Sequence, residues 1–564
     1  MFTSKQTNLI KKTSATKSTA KSVTGSKTKN AFLNAGLQTA AVTTSGNGAK
    51  KYSTTGNAFI DQFSFLGSYK APRPFAEIAK DMELIWGEDP KTSLLFTHYL
   101  RTITRKVTLF DGTKTQKPQK GGELKHEAIM RMIWIEQKKP AYFWDNIGLF
   151  VALGSWKDIF TMLQYDLVYN GWKGRVLNWE KFGKLILSGL NNSNTVNLVK
   201  KYLPQIKSNT VCKTVESQAD TMIGKWICSL LFGVKEDART YKRYRKLKTS
   251  GNAHEWQKLI SQGKHQLIDF ASIHGRALNL LVRSKYLKNQ GLSEKYEAWV
   301  TKPETAVKYT GFVHELFQKL PYYLTELNKG EQETINKQFM TLVEKGKSED
   351  ETSSLIVVRD TSASMSSNAT GTNMSCFDIG KALALYFSYF LTSAFQDSFI
   401  EFNDDAKMHT WKGSTPLAKW YNDRCSYVGS TEFQSVIRLL CFIKRKGVAE
   451  SEFPKGILCI SDSEFNPTQL GKTNVDDALD TLRDAGFSEE YVSNFVIVLW
   501  NLQSNHYGPT TGKKFETFGI DIPNVFYFSG YSAATVSFLT SKIKNVQELF
   551  DEAMNQEVLQ MIKA

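Results

Sequence analysis

The hydrophobic pattern of this chain changes character once, near residue 350. From about Ala58 to Lys345, apolar residues recur at steps of three and four. Phe75, Ile78, Ala79, Met82, Ile85 and Trp86 show it most clearly, as one face of an amphipathic helix. The same spacing predicts helices over Leu124–Gln137, Tyr142–Leu153, Trp156–Tyr169, Lys181–Leu190 and Gln218–Phe232. Others are predicted over Trp256–Ile260 with Ala277–Leu287, then Thr310–Leu320 and Glu331–Lys345. Short polar or Gly/Pro links such as Lys139-Pro140, Gly154-Ser155 and Asn191–Thr195 separate them. Helices in series without strands predict an all-α, HEAT-like solenoid of helix pairs, although no clean repeat of about 40 residues is present.

After the acidic, polar linker Ser348–Ser354 the apolar runs shorten and alternate with helical patterns. Leu355–Val358, Gly456–Ile460, Phe495–Leu499 and Val525–Phe528 read as buried strands. Phe399–Phe402 and Lys407–Trp411 read as a hairpin across Asn403-Asp404-Asp405. Helices are predicted at Phe377–Leu391, Phe433–Ile443, Val475–Ala485 and, closing the chain, Val546–Ile562. Strand–helix alternation predicts a doubly wound α/β domain around a mostly parallel sheet. The expected division is therefore an arm at 1–57, a helical domain at 58–347 and an α/β domain at 348–564.

Three of the predicted strand-to-loop junctions carry oxygen ligands. Asp360, Ser362 and Ser364 follow the first strand, Thr431 precedes a helix, and Asp462 directly follows the strand GILCI. Loops at the carboxyl ends of parallel strands open at one edge of the sheet, so these five residues can converge. Three hydroxyls, two carboxylates and water suit a six-coordinate Mg²⁺ ion. Ser430, beside Thr431, is an alternative source of one hydroxyl.

Charge sharpens the division. The 564 residues carry a net +17, but the part from Ser354 onward has 18 basic and 24 acidic side chains, leaving +23 on the first 353. The excess makes the helical part a candidate for a polyanion. Its densest stretch is Ala238–Lys248, where Arg239, Lys242, Arg243, Arg245, Lys246 and Lys248 interleave with Tyr241 and Tyr244. Cations there would contact phosphates and the tyrosines would stack on exposed bases; the alternative is a solvated helix face. His274 and Arg276, flanking Gly275, form a second candidate contact.

Residues 1–55 hold nine lysines and no acidic residue, and read as a disordered basic arm. No apolar run is long enough to span a membrane and no signal core is present, so an intracellular, cytoplasmic protein without membrane association is expected. The six cysteines are scattered with no C-x-x-C pair, which fits reduced thiols. Catalytic motifs are incomplete. Asn466 stands where a P-loop ending in Gly471-Lys472-Thr473 needs glycine, and Met130 stands where His126-Glu127 needs a second histidine. A non-enzymatic function is expected.

Asp360-x-Ser362-x-Ser364, Thr431 and Asp462 in this setting resemble the metal-ion-dependent adhesion site of a von Willebrand factor A domain. A basic helical region ahead of such a domain resembles the TROVE module of Ro ribonucleoprotein autoantigens. The two-part layout is still more similar to an uncharacterised group of plant, protist and viral relatives. The segments that carry the likeness are Gly154–Asp158, Tyr241–Lys248, Gly429–Gln434, Ser461–Phe465, Val498–Asn501 with Pro509, and Phe528–Tyr531. Ser463 departs from the pattern, since A domains often have glycine there. The resemblance implies binding of small structured or misfolded RNA by the helical domain. It also implies a Mg²⁺ ion that accepts a carboxylate from a protein partner. A protein–protein adaptor without RNA is the alternative.

Overall fold

Proline and short polar side chains set the starts of many helices in the first half. The computed structural model describes residues 42–44, 50–52, 57–64, 66, 72–169, 176–207, 212–233, 237–251, 254–273, 275–309, 311–346, 354–369, 372–392, 394–425, 428–463, 465–468, 472–503, 524–530 and 546–563. The sixteen helices described before residue 350 are α1 (Ala58–Ser64), α2 (Phe75–Glu88), α3 (Pro90–Arg101), α4 (Lys125–Lys138), α5 (Pro140–Leu153), α6 (Lys157–Tyr169), α7 (Trp179–Asn191), α8 (Val196–Tyr202), α9 (Val215–Phe232), α10 (Ala238–Thr249), α11 (Glu255–Ser261), α12 (Gly275–Arg283), α13 (Tyr286–Asn289), α14 (Ser293–Val300), α15 (Val313–Phe317) and α16 (Lys329–Gly346). Pro90 and Pro140 occupy first-turn positions where no backbone donor is needed. Asn178, Thr214 and Asp237 cap their helices by accepting from the backbone N–H three residues on.

Two expectations are corrected here. Part of the 1–57 arm, read as disordered, forms an antiparallel ribbon of β1 (Val42–Thr44) and β2 (Lys50–Tyr52). The cause is legible: Val42, Thr43 and Thr44 are all β-branched, which favours an extended backbone. The helix expected over Thr310–Leu320 is only α15, five residues long. Residues 1–41, the linker at 347–353, Pro509 and Tyr531 lie outside the described residues.

The second half is a mixed six-stranded sheet flanked by helices. Its strands are β3 (Leu355–Asp360), β4 (Ser398–Phe402), β5 (Ala406–Thr410), β6 (Gly456–Ser461), β7 (Val496–Asn501) and β8 (Val525–Ser529), ordered β5-β4-β3-β6-β7-β8. All neighbours are parallel except the β4–β5 hairpin at one edge. Central strands β3 and β6 are buried at every position, as continuous apolar runs require when both faces are covered. Helices α17 (Cys376–Ser388), α18 (Pro416–Asn422), α19 (Gln434–Arg445), α20 (Asn474–Asp484) and α21 (Glu489–Asn494) complete the layers.

The two faces of the sheet bury different cores. Ile356, Val358, Ile457 and Cys459 pack with Val436, Ile437 and Leu482 of α19 and α20. Leu355, Val357, Leu458 and Ile460 belong to a larger cluster that continues through α17 into the helical half. Phe317 stacks on Trp420 at 4.3 Å, and the Tyr386 hydroxyl donates to the Leu342 carbonyl at 3.2 Å. Residues 42–564 therefore pack as one unit.

The closing helix is also corrected. It is α22 (Val546–Met554), followed after a break by a single turn at Leu559–Met561. Rather than covering the sheet, it docks on the helical half. Phe550 packs against Phe59, Phe63 and Phe96, and Asn146 exchanges two hydrogen bonds with the backbone of Lys563. An apolar face specifies that a helix is buried, not which partner buries it.

Candidate functional site

The chain leaves β3 to one side for β4 and β5, then crosses back to build β6, β7 and β8 on the other. Strand order therefore reverses between β3 and β6, and the crevice beyond their carboxyl ends is where open α/β sheets hold ligands. Asp360 is the last residue of β3 and Ser461 the last of β6.

The first loop turns sharply enough to bring its oxygens together. Ser362 N–H donates to Asp360 Oδ1 at 2.8 Å, and a short 3₁₀ turn at Ala363–Ser366 places the Ser362 and Ser364 hydroxyls 3.0 Å apart. From the neighbouring strand, Ser461 Oγ donates to Asp360 Oδ2 at 2.5 Å. The third loop is brought alongside by backbone bonds: Ala363 N–H donates to Gly429 O at 3.1 Å, and Asn466 N–H to Thr431 O at 2.9 Å. Asp360, Ser362, Thr431 and Asp462 are all buried, and Ser364 is half-buried.

The choice between Ser430 and Thr431 follows from the same geometry. Ser430 is exposed, and both its N–H and its hydroxyl are engaged by Asp404 Oδ1, at 2.9 and 2.6 Å. Thr431 faces inward. Gly429, at φ 80°, lies so close to Asp404 that an added Cβ would sit 2.5 Å from its carboxylate, which fixes the bend between them.

Two carboxylates withdrawn from water at short range repel one another. Burial pushes the Asp360 carboxyl up to about 7, and the charge of Asp462 pushes the same way. Hydrogen bonds from Ser461 and Ser362 only partly offset this. Beside Asp462, Ser463 adopts φ 62° and its buried hydroxyl has no hydrogen-bond partner among the described residues. Its left-handed backbone explains why glycine would be at home there. An all-oxygen donor set, a charge-frustrated carboxylate pair and an orphaned hydroxyl fit a hard divalent cation.

The basic helix is placed differently from what was expected. Arg239, Lys242, Arg243, Arg245 and Lys246 of α10 are exposed, and among the described residues none of the five has an ionic partner. Arg243 lies over the Phe232 ring at 4.4 Å. Tyr244, expected to stack on bases, is fully buried and donates to the Pro204 carbonyl at 3.0 Å. Tyr241 is half-buried under Lys225. Lys248 is half-buried too, its ammonium donating to the carbonyls of Lys201 and Leu203. Arg276 is paired with Glu315 through two parallel bonds from Nε and Nη2, and His274 lies outside the described residues. So five of the eight expected RNA contacts are exposed cations without an ionic partner among the described residues, and Lys248 and Arg276 are already committed.

Lys157, Lys201, Lys207 and Lys248 line a cavity of about 360 Å³ with Asp220 as its carboxylate. Sequence spacing did not point to this recess, because its lysines come from three separate segments. The motif Gly154–Asp158 is structural: buried Asp158 accepts from Arg101 Nε at 2.7 Å and from Ser155 N–H at 2.9 Å. A further set that sequence reading missed is Glu401, His409 and Cys425 at the sheet edge.

Residues 354–563, the whole α/β half, match the family model described as Domain of unknown function (DUF7788). No curated protein matches the chain.

Proposed function

We propose that this chain is a non-catalytic RNA-binding protein resembling Ro ribonucleoproteins. In this reading the HEAT-like, TROVE-like helical half binds small structured or misfolded RNA. The α/β half is a von Willebrand factor A-like domain whose Mg²⁺ site takes a carboxylate from a protein partner. The observation that carries the reading is the convergence of Asp360, Ser362, Ser364 and Asp462, with Thr431, at the reversal of strand order, in a protein whose other half presents on one helix five exposed cations with no ionic partner among the described residues.

Asp360 and Asp462 would supply negative charge to the ion, and Ser362, Ser364 and Thr431 neutral oxygens. Two carboxylates do not exhaust the coordination of Mg²⁺, which leaves positions for water or an incoming carboxylate. On the helical side, exposed Arg and Lys would track phosphates, and the Lys157/Lys201/Lys207 recess is large enough for one phosphate group. The six cysteines are all free, which supports an intracellular setting. No helix among the described residues is long and apolar enough to cross a membrane.

The test uses the full chain, because the helical half shares its core with the sheet and with α22. RNA that copurifies after crosslinking is sequenced, and its affinity is measured across a salt series. Salt-dependent binding that is lost on reversing Lys242, Arg243, Arg245 and Lys246 supports the RNA reading. If structured RNA does not bind at low salt while Mg²⁺-dependent protein capture persists, the adaptor reading replaces it.

A further inference from the structure

At the antiparallel edge, away from the oxygen-lined crevice, a nitrogen, an oxygen and a sulfur ligand face one another. Phe399 of β4 pairs directly with His409 of β5, and Glu401 pairs with Lys407. Glu401 and His409 therefore lie diagonally across one face of the hairpin. The loop after α18 brings Cys425 over that face. One ligand atom from each of Glu401, His409 and Cys425 lies within 4.8 Å of the other two. We propose that these three residues form a zinc site.

The contact between the histidine and the carboxylate is the main reason. His409 Nε2 and Glu401 Oε2 are 3.2 Å apart, yet neither buried atom makes a hydrogen bond among the described residues. The ring nitrogen thus meets the carboxylate off the N–H line. Two ligands of one tetrahedral zinc stand in that relation. With metal–ligand distances of about 2.0–2.2 Å, their N and O atoms are separated by roughly 3.3 Å. A hydrogen-bonded ion pair would instead align the N–H with the oxygen.

The surroundings fit. Thr361 Oγ1 donates to Glu401 Oε1 at 3.2 Å, orienting the carboxylate and leaving Oε2 for the metal. The His409 ring lies against Phe399, with centroids 5.5 Å apart and planes 20° from parallel. Arg359 is held by Asp423 at 2.6 Å and lies over the rings of Phe399 and Trp411. Mixed N, S and O donors select zinc over Mg²⁺, and three protein ligands are the set of sites that keep one position for water. The ion would join the edge hairpin to the segment leading to Thr431, where Val428 N–H donates to the Thr361 carbonyl at 2.8 Å.

The test titrates the chelator-stripped full chain with Co²⁺ and then Zn²⁺. One equivalent of Co²⁺ should give a thiolate-to-metal charge-transfer band in the near ultraviolet, and Zn²⁺ should erase it. Cys425→Ser should abolish the band, and His409→Ala and Glu401→Gln should each weaken Zn²⁺ by more than about 10-fold. Asp360→Ala should change neither. In unmutated protein, Zn²⁺ should protect Cys425 from alkylation, read by mass spectrometry, which keeps the proposal testable if a variant does not fold. Absence of the band from folded wild-type protein, its persistence in Cys425→Ser, or unprotected alkylation of Cys425 overturns the assignment.

Discussion

The α10 stripe and the Asp360 crevice are built by opposite logics. The stripe is contiguous in sequence, exposed, and of one charge sign. The crevice draws on three loops spread over about a hundred residues, is buried, and places like charges together. A contiguous exposed stripe tolerates loss of any one member, since each cation adds a similar long-range term. A buried convergent set does not, because its members exist in that state only by virtue of one another. Single substitutions are therefore informative in the crevice, and grouped ones on the helix.

Reversing Lys242, Arg243, Arg245 and Lys246 together should have the largest effect, weakening RNA binding by more than about 100-fold at low salt and flattening the log–log salt slope by about 3. Filter binding across a salt series reads both. A single reversal there should cost about a quarter of the slope change; a total loss from one residue would break the comparison. In the crevice, Asp360→Ala alone should remove all Mg²⁺-dependent thermal stabilisation, which in wild type should reach about 2.7 kcal/mol at a hundredfold excess over Kd. Retained stabilisation in that variant would remove the cation from the site. Smaller still, Tyr244→Phe should cost about 1 kcal/mol in denaturant unfolding, through the orphaned Pro204 carbonyl, with the RNA salt slope unchanged.

The pH responses of the two halves should run in opposite directions. Burial holds His98 down at about 4, so the unfolded chain takes up that proton first, and stability falls as pH drops from about 6.5 toward 4. Asp360 is raised instead, so without a cation stability falls as pH climbs from the ordinary carboxylate range toward 7. Melting temperatures of His98→Gln and Asp360→Asn across pH, with and without Mg²⁺, should each flatten one limb.

The crevice was legible because each carboxylate ends a buried strand: Asp360 follows Leu355–Arg359 and Asp462 follows Gly456–Ser461, so topology alone brings them together. The hairpin and the alternation of strands and helices were legible for the same reason. The availability of the basic residues was not. Composition marks α10 as cationic, but Tyr244 and Lys248 turn inward onto the carbonyls of Lys201, Leu203 and Pro204, at the end of α8 and just beyond it, in a separate stretch of the chain. Glu401, His409 and Cys425 were invisible because their approach depends on strand register and on where α18 ends. The docking of α22 was invisible because amphipathicity carries no address.

That docking has a consequence for synthesis. α1 and α3 find their packing partner in Phe550, so a growing chain presents an incomplete apolar surface until that residue is made. At roughly 5–20 residues per second, α1 waits about half a minute to a minute and a half for it. Loss of Val546–Met554 would thus leave α1 and α3 as unfinished as the segment that is missing.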